Sequence, residues 1–313
     1  MKVRVAAVTL ASVSVLGLTV LAQGPAGPPA GRAEAPAGRQ GRGGGGRDPN
    51  AVPAIPGQNV NGMHIYLRAG LKTHGEGQHD YPQLLADWSK LLTTKYGAVV
   101  DGSFHAPTAA ELEKTDVIVF YKGDAGYMND REKADLEAFL KRGGGVVSFH
   151  DSLCGPDPQY LATTVFGGAK KHGETNFTLD AKIPYTVVDK DSPIMAGVSD
   201  FTLPVDESFY LMTWAKDPGI HVLMNGLIDS TPTAVNSKHA GETVPQVWTY
   251  EHTLPGGTKP SRAFVWMQGH EYKNFTDPRV EPMLVRGIAW AAGKPVNELI
   301  DYKPAPPRGR GGN

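Results

Sequence analysis

Cysteine is almost missing from this sequence: Cys154 stands alone among 313 residues. A disulfide scaffold is therefore excluded. There is no Gly-X-Y period and no heptad array, which excludes collagen and coiled coil. No unit of about 20–50 residues recurs, so the chain is not a repeat array. Beyond the first 22 residues no apolar run is long enough to span a bilayer. A basic body is missing too. The first 22 residues, the stretch 23–57 and the tail after Lys303 each contribute +2, so the chain's net charge of −1 leaves −7 on the rest. An acidic body argues against nucleic acid as a partner.

What is present at the amino terminus is an address. Lys2 and Arg4 precede an apolar run from Val5 to Ala22. This predicts a secretory signal peptide over 1–22, cut before Gln23. No twin-Arg pair and no Cys after the cut point to another export route or a lipid anchor. The expectation is an exported protein, periplasmic or extracellular, touching a membrane only if the segment stays uncleaved. A lone thiol suits an oxidising compartment. Residues 23–57 hold ten Gly and seven Pro. Such a stretch buries too little apolar surface to offset its ordering entropy, so it reads as a disordered linker. Residues 58–303 form the folded domain, and 304–313 read as a disordered tail.

Within 58–303 strand and helix patterns alternate. Met63–Leu67, Val99-Val100, Val117–Tyr121 and Val146–Phe149 read as strands. Tyr81, Leu84, Leu85, Trp88, Leu91 and Leu92 recur at helical spacing. Thr108 with Glu111, and Asn129 with Glu132, have capping-box spacing. The second helix ends at Gly143-Gly144-Gly145. This rhythm predicts an α/β fold with a mostly parallel central sheet and helices on both faces. The second half predicts strands at Pro184–Val188, Glu207–Met212, His221–Met224, Gln246–Tyr250 and Ala263–Met267, then a helix over Pro278–Ala292.

In such a sheet ligands bind beyond the carboxyl ends of the strands. Four of the ten histidines fall there: His74 and His79 after the first strand, His150 after the fourth, His270 after the last. Asp151 adjoins His150, and Asp206-Glu207 begins an aromatic-rich strand. His64, His105, His172, His221, His239 and His252 read as structural or solvent-facing. No His-Glu-x-x-His spacing is present, so no metal ligands are assigned and no cofactor is expected. A zinc or other divalent site would have to assemble from His74, His79, His150 and His270 across the strand ends.

The run Gly143-Gly144-Gly145-Val146-Val147-Ser148-Phe149-His150 resembles the glycine-strand-histidine signature of ThuA-like (trehalose-utilisation) proteins. Thr73-His74-Gly75, His79-Asp80-Tyr81, Asp206-Glu207, Val244-Pro245-Gln246-Val247-Trp248 and Gly269-His270 are similar to that family's other landmarks, in order. The resemblance implies a flavodoxin-like, class I glutamine amidotransferase-like three-layer sandwich and a link to carbohydrate catabolism. Those amidotransferases carry a Cys nucleophile on the turn after a central strand, where this chain has His150. Glutamine hydrolysis is therefore not expected. Ser152 lacks the glycines of a Gly-x-Ser-x-Gly elbow.

The expected function is action on a disaccharide or keto-sugar, of isomerase, lyase or hydrolase type, with a small carbohydrate as partner. His150 or Glu207 would serve as base and His270 as proton donor. His74, His79, Asp151 and Asp206 would bind substrate. Two other readings share the crevice: a non-catalytic sugar-binding or interaction module using Trp248, Trp266 and Tyr272 as stacking surfaces, and a zinc-dependent hydrolase.

Overall fold

The computed structural model describes residues 59–173, 177–229 and 239–304. The expected signal peptide, the linker and the tail beyond Pro304 lie outside these residues. In chain order the first half runs β1 (His64–Ala69), α1 (Tyr81–Thr94), β2 (Val99–Ser103), α2 (Ala109–Lys114), β3 (Val117–Tyr121), α3 (Asp130–Lys141) and β4 (Gly145–Phe149). The short α4 (Pro158–Tyr160) continues into a wide helical turn, Leu161–Phe166. Then come β5 (Gly168–Ala169), β6 (Phe177–Val187), β7 (Phe201–Phe209), β8 (Thr213–Trp214), β9 (Ile220–Leu227), β10 (Thr243–His252), β11 (Ser261–Trp266) and α5 (Glu281–Ala291). No helix among the described residues is long and apolar enough to cross a membrane.

The large sheet has the order β2-β1-β3-β4-β11-β10-β9-β6-β7. From β2 to β11 every neighbouring pair is parallel; from β11 to β7 every pair is antiparallel. Strand β3 is buried along its whole length, as a strand covered on both faces must be. Its Val117, Val119 and Tyr121 pack with α1 and α5 residues such as Leu84, Trp88, Leu284 and Ile288. Its Ile118 and Phe120 join Leu112, Leu136 and Phe139 of α2 and α3, together with Leu161 and Phe166. The period of two thus splits one strand between two cores, and three layers result. Both expected capping boxes close, Thr108 with Glu111 and Asn129 with Glu132.

The triglycine has a steric cause at two of its members. Gly143 takes a φ of +92° as α3 ends, a conformation that glycine adopts without strain. A Cβ on Gly145 would lie 2.0 Å from the Ala291 carbonyl oxygen of α5. The helix and β4 therefore touch backbone to backbone. Gly145→Ala is expected to force them apart and destabilise the fold by about 1–3 kcal/mol. A urea melt against the unchanged chain measures this, and an unshifted midpoint would refute it.

Two strands differ from expectation. Strand β6 begins at Phe177 rather than Pro184, and β7 begins at Phe201 rather than Glu207. Strand β6 and the first half of β7 alternate buried and exposed residues instead of forming apolar runs, because they lie in the antiparallel part of the sheet; the end of β7, from Asp206 to Phe209, is buried throughout. Asp206 and Glu207 consequently sit late in β7. The β6–β7 pairing carries register shifts between Thr178 and Ala181 and between Ala181 and Ile183. Such irregularities bend and twist a ladder. Although β7 is last in the sheet order, its carbonyls meet β10 and the loop after β11: Phe209 O accepts from Gln246 Nε2 at 2.8 Å, and Glu207 O from Gln268 Nε2 at 3.2 Å. Both glutamines are fully buried. They bring the two acidic residues of β7 to the end of β11.

Candidate metal centre

The loop between β1 and α1 delivers His79. Lys72 ties this loop together, with its Nζ donating to the carbonyls of Thr73, Gly75 and Gln78 and lying 2.7 Å from Asp80 Oδ1. The loop is then clasped to the one after β11: His79 N donates to His270 O, Tyr272 N to Gly77 O, and Gln78 Nε2 to Glu271 Oε1. His150 occupies the first residue after β4, with φ +54°. His74 and His79 also take positive φ, 62° and 47°. Bulky residues are uncommon there, and such strain persists where the surroundings over-determine the backbone.

Four ligand atoms converge. His79 Nε2 lies 2.9 Å from His150 Nε2 and 3.0 Å from His270 Nδ1. Glu207 Oε2 lies 3.4 Å from His150 Nε2 and 3.3 Å from His270 Nδ1. One ligand atom from each of these four buried residues falls within 4.8 Å of all the others. Protons are assigned from the partners on the far side of each ring. His150 Nδ1 faces the Met267 carbonyl at 3.3 Å, so Nδ1 carries the proton and Nε2 its lone pair. Tyr81 donates to Asp151, at 3.0 and 3.2 Å, so its oxygen accepts from His79 Nδ1 at 2.9 Å. The Nε2 lone pair of His79 then also points inward. Outer partners of this kind orient metal-binding imidazoles.

Burial, with the neighbouring His270 and His74 adding to it, brings His79 down to about 2. Burial also holds His150 well below its ordinary value, helped by His79 and His270. Burial pulls His270 down as well, but the Glu207 carboxylate beside it more than offsets this and holds it above its usual value. Asp151 is pushed up to about 7 by burial and by Glu207.

The expected site residues thus separate into groups. His150, Glu207 and His270, expected to move protons, come together with His79, expected to bind substrate. All four offer their inner atoms to one another. Asp206, also expected at the substrate, is fully buried. Its carboxylate accepts from the backbone of Glu207, Gly269 and His270 and from Asn274 Nδ2. It fixes the backbone of Glu207 and His270 and does not line the cavity. His74 and Asp151 line a cavity of about 430 Å³ beside the cluster, together with Tyr81, Lys122 and Arg68. His172, read from sequence as structural or solvent-facing and exposed here, also reaches the cavity wall, 2.9 Å from Asp124 Oδ1.

Other candidates fall away. Ser152 is fully buried and its Oγ accepts from Lys122 N. Burial raises the Cys154 thiol far above its ordinary range. Trp248 and Trp266 are core residues with no exposure, and Tyr272 donates to Asp87, so none offers a stacking face to the cavity. The aromatic at its rim is Phe104, 46% exposed, which no sequence pattern singled out.

Comparison with known proteins agrees with the fold. Two solved structures described as ThuA-like match it, each with a TM-score of 0.56. The one from Bacteroides uniformis ATCC 8492 is 18% identical over 78% of this chain and 94% of its own. The one from Parabacteroides merdae ATCC 43184 is 17% identical over 74% of this chain and 91% of its own. No curated protein matches the chain. The family model for ThuA, trehalose utilisation, matches residues 72–291, a span that runs from the loop of His79 through β11 to the end of α5. The chain belongs to the ThuA family.

Proposed function

We propose that this protein is an exported enzyme of carbohydrate catabolism that holds one divalent metal at His79, His150, Glu207 and His270. Its substrate is a disaccharide or keto-sugar bound in the adjoining cavity. The carrying observation is the convergence of three imidazole nitrogens and one carboxylate oxygen within 4.8 Å. Inward lone pairs on His79 and His150, 2.9 Å apart, repel one another, and a cation between them removes the repulsion. Three nitrogens and one oxygen suit zinc, and the same donors suit manganese or iron. A cation bound there supplies Lewis-acid polarisation of a substrate oxygen.

With their inner atoms committed as ligands, His150 and His270 no longer serve as base and donor. The cavity wall offers Asp151 instead, held by the Tyr81 hydroxyl. Asp151 is placed to take a proton from a sugar carbon beside a carbonyl and return it. His74, on the same wall, binds a hydroxyl.

The test is elemental analysis of protein purified without added metal, followed by chelation. About one divalent ion per chain is expected. Its removal should lower the thermal midpoint, since a ligand present at a thousand times its Kd stabilises by about 4 kcal/mol. Turnover of disaccharides and their keto forms, followed by NMR, should stop on chelation and return with metal. Protein that is metal-free as isolated and takes up neither zinc nor manganese would overturn the reading.

A further inference from the structure

The cavity beside the histidine cluster holds two cations that the cluster does not explain. Arg68, near the end of β1, and Lys122, the residue after β3, both line it. They also line a smaller, largely apolar cavity of about 70 Å³, so the two cations stand where the cavities meet. Neither forms an ion pair among the described residues. Arg68 Nη1 donates to Ala69 O, and Lys122 Nζ to the carbonyls of Gly123 and Asp124. The carboxylates nearby act on Lys122 only from beyond ion-pair distance. Glu132 accepts from Asn129 N in its capping box, Asp124 Oδ1 faces His172, and Asp151 accepts from Tyr81. Burial holds both cations below their ordinary values, and for Lys122 the nearby Arg68 adds to this. Two partly desolvated cations, drawn by Asp124, Asp151 and Glu132 at longer range but paired with none, still carry a cost that a directly bound anion relieves.

We infer that the sugar-derived substrate carries a carboxylate, which Arg68 and Lys122 hold at the wall of the cavity. This rests on reading the crevice as a sugar site. It narrows the class to uronic or aldonic acids and their glycosides. A carboxylate fits better than a phosphate for two reasons. Part of each cation's donor capacity is already spent on backbone carbonyls. Asp124 and Asp151 on the same cavity would also repel a dianion more strongly than a monoanion. An arginine fork matches a carboxylate's two oxygens, and a lysine adds a point charge beside it.

Calorimetry on the full chain, with glucuronate, glucose and glucose 6-phosphate as probes, tests the inference. Each is titrated into metal-loaded and into chelated protein. Glucuronate should bind about tenfold more tightly than glucose, as one charge-assisted contact requires. The preference should persist in chelated protein, weaken with added salt, and disappear in Arg68→Gln and in Lys122→Gln while glucose binding stays within about twofold. Equal binding of glucuronate and glucose would overturn it, as would no glucuronate binding at millimolar concentration. A preference lost on chelation would belong to the metal, and tighter binding of the phosphate would replace the carboxylate; both overturn it. Protein without metal that keeps the preference would refute only the metal reading.

Discussion

His150→Asn is expected, on the proposed metal site, to lose the divalent ion while remaining folded. The side chain it replaces is fully buried, with Nε2 in the cluster and Nδ1 fixed on the Met267 carbonyl. Asparagine tolerates the positive φ of this position, so the backbone stays comfortable, but its side chain is too short to reach the other three ligands. Losing even an outer partner of a ligand lowers metal affinity about 10–100-fold, and losing the ligand itself should exceed that. Elemental analysis reads the metal, and far-UV circular dichroism reads the fold. Tyr81→Phe should show the smaller, outer-partner effect, because it removes one of the two oxygens beside His79 Nδ1 and leaves Thr73 Oγ1 at 2.9 Å. Full metal occupancy in the His150 variant, with a native spectrum, would remove this residue from the ligand set.

Asp206→Ala should be the most destabilising single change around the site. Four donors meet this one carboxylate: the amides of Glu207, Gly269 and His270, and the side chain of Asn274. Burial pushes the Asp206 carboxyl up to about 7 against the pull of these donors, so the group is both desolvated and fully used. Alanine leaves the donors buried without partners, at about 1–3 kcal/mol for each that finds no water. A net loss of about 3–5 kcal/mol follows, which for a domain of this size lowers the thermal midpoint by about 10 °C. His270 would also lose the anchor of its backbone, so metal should fall with stability. A melt shifted by less than about 2 °C would show that the donors find other partners.

Much of this was legible before any coordinates. The capping boxes at Thr108 and Asn129 closed as expected, β3 ran over Val117–Tyr121, and four histidines stood at the strand ends. These features are local: each depends on residues within one turn or one strand. The ligand set was not local. His79, His150, Glu207 and His270 come from separate elements, and no short motif records a site assembled that way. Glu207 joins it because Gln246, Gln268 and the Asp206 carboxylate hold β7 against its neighbours, and a glutamine within an apolar strand gives little warning of such a role. The alternation of Ala181, Ile183, Tyr185 and Val187 in β6 was available as a signal. The apolar run at its end is the stronger of the two signals. Arg68 and Lys122 offered no pattern, since a strand-end cation has meaning only once the cavity beside it is known.

The clasp between the loop of His79 and the loop of His270 bears on time as well as geometry. Three of the four ligands sit on or directly beyond strand ends, whereas His79 rides on a connection of the kind that normally moves freely. Here that connection is sewn to its neighbour by two main-chain bonds and the Gln78–Glu271 contact. Releasing one ligand therefore means parting the whole seam. On the proposed metal reading, the residence time of a bound ion then follows the rate at which the seam opens, and affinity and exchange become separate properties. Weakening Gln78 or Glu271 would quicken the coming and going of the ion while leaving every atom that touches it in place.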